Sequence, residues 1–158
     1  MIHQVGIGEM RVTDSSEEVL IASPIGAGIA LALRNPAARV HGLLHFMLPD
    51  SAAHPRAAIE NPCLFADTAI PAFLRTAAAL GASPAESSIT MVGGAQPIDP
   101  TEFFAVGARN QATARKILWN NGMRIESEHV GGSSARTLRI EPGKERGTVV
   151  TQEREGEA

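Results

Sequence analysis

The stretch from Ile21 to Ser51, IASPIGAGIALALRNPAARVHGLLHFMLPDS, constrains the fold more than any other part of the chain. An apolar run broken by Gly26 and Gly28 leads into Arg34-Asn35-Pro36, and a second apolar run follows. Strand-forming residues bounded by turn residues predict a hairpin or two neighbouring strands. In the second run a period of two puts Val40, Gly42, Leu44, Phe46 and Leu48 on one face and His41, Leu43, His45 and Met47 on the other. His45 is thereby a polar group among apolar neighbours. A buried imidazole needs a hydrogen-bond partner, and imidazole also titrates nearest neutral pH. His45 is therefore either a hydrogen-bonded core histidine or a general base.

The remaining elements follow from periodicity and punctuation. Gln4 to Thr13 predicts a first strand, and Asp14 to Glu18 a turn. Gly6-Ile7-Gly8 lacks the rest of a nucleotide-binding glycine fingerprint, and no helix follows it. Asp50 to Pro62 reads as a polar, proline-bearing loop beside the strand that carries His45. Cys63 to Leu80 has helical spacing at Phe65, Ala69, Phe73, Ala77 and Leu80, with Asn61 and Pro62 suited to its start and Gly81 to its stop. Pro71 then either kinks that helix or sits in the first turn of a helix that begins near Asp67 and Thr68. Ser88 to Gly93 predicts a buried strand, and Gly107 to Asn121 a second helix stopped at Gly122. Met123 to Val130, Ser134 to Glu141 and Thr148 to Gln152 predict three more strands, with turns at Gly131-Gly132 and Pro142-Gly143.

Several of these words, in this order, resemble the chemoreceptor glutamine deamidase family, CheD. They are Gly6-Ile7-Gly8-Glu9, Ile25-Gly26-Ala27-Gly28-Ile29-Ala30, Gly42-Leu43-Leu44-His45-Phe46-Met47-Leu48-Pro49 and Ala66-Asp67-Thr68-Ala69. The series continues with Gly93-Gly94, Val106-Gly107-Ala108-Arg109-Asn110, and Gly131-Gly132 followed by Arg136. The resemblance implies an α/β (α+β) layered sandwich, with mixed sheets packed together and two main helices outside. It also implies a base at His45 and places the family's nucleophilic cysteine at Gly28. The family's hydroxyl residue falls at or beside Ala22, where Ser23 is the nearest substitute. Amide hydrolysis through a covalent intermediate needs a thiol or hydroxyl to attack the carbonyl, and glycine has neither. What survives is the candidate base and a turn whose N–H groups could face an oxyanion.

Length and composition bound the rest. At 158 residues the chain fits one domain, taken as residues 1–152 with a frayed charged tail over 153–158. Aromatic residues make up 4% and Tyr is absent, so Ala, Leu, Ile and Val fill the core. A formal net charge of −3 offers no phosphate-neutralising field, which argues against nucleic acid as a general partner. The single cysteine, Cys63, allows no intramolecular disulfide and no metal-binding cysteine pair. The apolar run from Ile25 to Leu33 is too short to span a bilayer and the N-terminus lacks a secretory pattern, so a cytoplasmic protein is expected.

Rival chemistries narrow to a replaced nucleophile. A zinc site built on His41 and His45 fails because four residues of strand separate them by roughly 13 Å. Neither a metal nor a cofactor is expected. Cys63, at an expected helix start, would have a lowered thiol pKa if the helix dipole reached it, and Ser23 would need a base within hydrogen-bond reach. The expectation is a chemotaxis regulatory protein, impaired as a deamidase, that binds methyl-accepting receptors or a CheC-type phosphatase, both partners being implied by the resemblance. The alternative is an active receptor glutamine deamidase that uses Cys63 or Ser23.

Overall fold

The computed structural model describes residues 1–96, 105–143 and 148–151. Gln152 and the tail expected over 153–158 lie outside the described residues. Among those described, the strands are β1 Ile2–Gln4, β2 Glu9–Thr13, β3 Val19–Ile25, β4 Ile29–Asn35, β5 Val40–Phe46, β6 Ser88–Gly93, β7 Arg124–Val130, β8 Arg136–Ile140 and β9 Thr148–Thr151. The helices are α1 Pro55–Glu60, α2 Ala66–Ala79 and α3 Val106–Asn120. One mixed sheet has the order β1-β3-β8-β9 and the other the order β2-β5-β4-β6-β7.

The five-stranded sheet is the middle layer of three. One face of its central strands, Ile29, Leu31 and Leu33 with Val40, Leu44 and Phe46, packs on Ala69, Ile70 and Phe73 of α2 and Ala114 and Leu118 of α3. The opposite face, Ala30, Ala32 and Leu43, packs on Leu20, Ala22 and Ile25 of β3 and Leu138 and Ile140 of β8 in the other sheet. The period-of-two reading of β5 holds residue by residue, and β4 and β5 pair antiparallel from Ile29↔Phe46 to Asn35↔Val40. Alternation therefore assigns His41 and His45 to the space between the sheets, along with Leu43.

The structure corrects several expectations. The stretch before Pro36 is two strands in different sheets, because the chain leaves β3 at Gly26–Gly28 and enters β4 in the neighbouring layer. Gln4 to Thr13 is divided in the same way: β1 pairs with β3, Gly8 turns the chain at φ +79°, and β2 pairs with β5. Within the expected loop, Pro55 opens α1, a short helix with no buried residue and so no apolar period to announce it. Asn61 and Pro62 start a 3₁₀ turn, Pro62–Leu64, in which the Asn61 side chain accepts the Cys63 N–H. A bridge between Leu48 and Phe65 then fixes where α2 begins, with the Ala66 N–H on the Leu48 carbonyl. Pro71 consequently lies in the second turn of α2 rather than the first. Gly81 and Gly122 end α2 and α3 at positive φ, as the sequence predicts.

Candidate functional site

Three backbone segments converge at the end of β5. Gly26-Ala27-Gly28 carries the chain from one sheet to the other, the residues after His45 lead away toward Leu48, and Val106-Gly107 begin α3. With Ile7 they enclose a cleft of about 370 Å³ that has His45 in its wall. The sequence-predicted positions Gly28 and His45 are thus brought together.

The turn is held by its carbonyls. Gly26 O accepts from Ala95 N–H at 3.0 Å and Gly28 O from Gly94 N–H at 2.9 Å. Ala27 O accepts from Asn110 Nδ2 at 2.9 Å, and the same Nδ2 donates to Met47 O at 3.0 Å. Asn110 is fully buried and clamps the turn to the chain just beyond His45. Gly107 makes this docking possible, since a Cβ there would stand 2.5 Å from each of the carbonyls of Gly94 and Ala95. All three turn carbonyls are engaged, whereas none of the three turn N–H groups donates to a protein acceptor among the described residues.

His45 is 2% exposed, and neither ring nitrogen has a hydrogen-bond partner. Burial pushes its pKa below the ordinary 6.5, and a hydrogen bond of the ring with the Val5 main chain, too long or bent to count as a close one, works in the other direction. A neutral imidazole carries one N–H and one lone pair, so with the N–H turned toward the Val5 main chain the lone pair is left without a donor. A buried polar atom without a close partner costs stability, as does Asn110 Oδ1 beside the same turn.

Gly28 has no atom to react, and the backbone leaves no room for one. An ideal Cβ at this position would lie 2.6 Å from the Phe46 carbonyl oxygen. The rest of the cleft lining is glycine, alanine and apolar side chains apart from His45, so no hydroxyl or thiol lines this cleft among the described residues. Ser23 is exposed, and its hydroxyl shares a hydrogen bond with Thr137 on β8 at 2.6 Å. Cys63 packs against the core on the helix side of the five-stranded sheet, the side opposite His45. A three-residue 3₁₀ turn supplies little dipole there, and burial pushes the thiol pKa up, reversing the expected lowering. The cleft therefore brings together Gly28 and His45 but not Ser23 or Cys63.

Asn110, which holds the turn of the cleft in place, was not singled out as a site residue from the sequence. Its partners lie 83 and 63 residues away in the chain, and only the shared word Val106 to Asn110 pointed toward it. His41, on the same face of β5, has its Nε2 at 2.7 Å from the Glu18 carbonyl, an acceptor, so Nε2 carries a hydrogen and donates it.

Comparison with known proteins adds to this geometry. The family described as CheD chemotactic sensory transduction matches residues 47–151. A probable chemoreceptor glutamine deamidase CheD of Solibacter usitatus is 40% identical over 142 residues, covering 90% of this chain and 84% of that protein. A like-named protein of Syntrophus aciditrophicus is 38% identical over 137 residues, 87% of this chain and 86% of its own. The chemoreceptor glutamine deamidase CheD of Thermotoga maritima is 31% identical over 142 residues, with 89% and 87% covered.

Proposed function

The chain belongs to the CheD family, and from that premise we propose that it engages a glutamine side chain of a chemoreceptor without hydrolysing it. The reading rests on one observation, the buried His45 imidazole, whose lone pair has no donor, in the same cleft as the unclaimed N–H groups of residues 26–28. A primary carboxamide complements that set. Its oxygen accepts from turn N–H groups, its NH₂ donates to the imidazole lone pair, and both partners are already desolvated. Hydrolysis through an acyl-enzyme needs a further group at Gly28, where a Cβ would meet the Phe46 carbonyl. Function on this reading is regulatory binding in the cytoplasm, with receptor or a CheC-type phosphatase as the partner.

The test uses the full chain with receptor cytoplasmic fragments and, separately, with a CheC-type phosphatase. Mass spectrometry of the incubated receptor should find every glutamine unconverted, while pull-down retains the receptor fragment; the phosphatase arm tests the second partner separately. Loss of one hydrogen bond to a buried group is worth about 1.4 kcal/mol, so His45→Ala should weaken receptor capture about tenfold. Conversion of glutamine to glutamate that disappears in His45→Ala would overturn the proposal, as would failure to bind the receptor fragment.

A further inference from the structure

A second cavity, of about 570 Å³, opens at the opposite end of β4 and β5. His41 lines it and His45 lines the first cleft, so about four residues of strand, roughly 13 Å, separate the two. Three connections meet there: Asp14 to Ser16 between β2 and β3, Pro36 to Arg39 between β4 and β5, and Glu141 to Gly143 after β8. The volume is that of a small-molecule site.

Its charges come in both signs. Arg34 and Glu141 are already engaged, Glu141 with Arg139 Nε at 2.8 Å. Arg39 and Asp14, both exposed, have no side-chain partner among the described residues. Arg39 also stands where the hairpin turns at φ +57°, a left-handed conformation that glycine or asparagine adopts at less cost. A guanidinium at that position serves no contact within the described protein. Pro36, Val40 and Pro142 supply apolar wall between the charged groups.

We propose that this cavity binds a small zwitterion of the α-amino-acid type, with its carboxylate on Arg39 and its ammonium on Asp14. Arginine presents paired N–H donors that match a carboxylate. A phosphate dianion would meet the Asp14 and Glu141 carboxylates as well, which disfavours it. The inference is independent of the His45 cleft.

Titration calorimetry of the full chain with a panel of L-α-amino acids should find at least one that saturates at millimolar concentration or below. Acetate and methylammonium, each carrying half of the charge pair, should bind at least tenfold more weakly, and inorganic phosphate should not compete. Arg39→Gly should lose amino-acid binding at least tenfold while raising the melting temperature of the free protein by about 2–4 °C, because glycine relieves the left-handed backbone. That opposite movement separates lost binding from lost folding. Asp14→Asn should weaken binding by a similar factor, and ligand-induced NMR shifts should centre on His41 and Gly143. Absence of saturable amino-acid binding, unchanged affinity in Arg39→Gly, or preference for phosphate would each overturn the proposal.

Discussion

Asn110→Ala removes the clamp between the 26–28 turn and the end of β5, and its effect can be worked out from the contacts. Both neighbours of Nδ2 are carbonyl oxygens, which fixes the amide orientation with NH₂ toward Ala27 O and Met47 O. Truncation deletes both bonds and leaves two carbonyls to be resolvated, about 2–4 kcal/mol in sum. It also removes Asn110 Oδ1, a buried acceptor with no partner, which returns about 1–2 kcal/mol. The net destabilisation is about 2 kcal/mol, or roughly 4–8 °C in melting temperature for a chain of this size. Asn110→Asp discriminates the mechanism. A carboxylate has no donor for the two carbonyls, so at neutral pH this variant should be less stable than Asn110→Ala. As the pH falls and the acid protonates, one donor returns and the gap should narrow. Thermal melts and urea denaturation at pH 7 and pH 5, with hydrogen exchange at the turn amides, measure both effects. A shift below 1 °C for Asn110→Ala, or equal responses of the two variants at both pH values, would refute the clamp.

Three further outcomes follow from single contacts. Gly28→Ala should destabilise the fold by more than 1 kcal/mol in urea titration, because its Cβ lies 2.6 Å from the Phe46 carbonyl and main chain yields less readily than a flexible side chain. The Arg11 guanidinium beside Glu18 lowers that carboxyl from 4.5 to about 2, so the pair's stabilisation is complete above about pH 4.5 and is lost as the pH falls toward 2; Glu18→Gln should flatten the acid limb of a stability–pH profile. The His45 imidazole is depressed below 6.5, so the unfolded chain takes up the proton first and stability declines as the pH drops below about 6.5. His45→Phe should abolish that segment of the profile, which thermal melts from pH 7.5 to 5 would record.

The layered α+β architecture came with the family resemblance, whereas the faces of β5 were legible because alternation is a property of neighbouring residues. Val40 to Phe46 sort to the two layers as their spacing predicts. The division of Ile21 to Asn35 between two sheets was not legible in the same way. A mostly apolar composition is shared by β3 and β4, and the glycines mark a turn without saying which layer each strand joins. Helix α1 escaped notice for the opposite reason, since a helix that buries nothing imposes no pattern. Asn110 lay within a recognisable word, yet its clamp depends on two carbonyls supplied by distant loops.

The same distinction governs Gly28. From sequence, glycine at the family's nucleophile position reads as a deletion that a cysteine would repair. In the fold, the Phe46 carbonyl of the neighbouring strand stands where a Cβ would go, with the Met47 Cα 3.6 Å away on the same side. Restoring a thiol therefore requires moving β5 relative to the turn, and Asn110 ties that turn to Met47, at the end of β5. Gly28→Cys alone should expose no fast-reacting thiolate to iodoacetamide. Paired with Asn110→Ala, which frees the turn to shift, it should react faster than the single variant. A single Gly28→Cys variant that keeps wild-type stability and alkylates rapidly at neutral pH would place the turn farther from Phe46 than this geometry has it, and the vacancy at 28 would then be a simple loss of side chain.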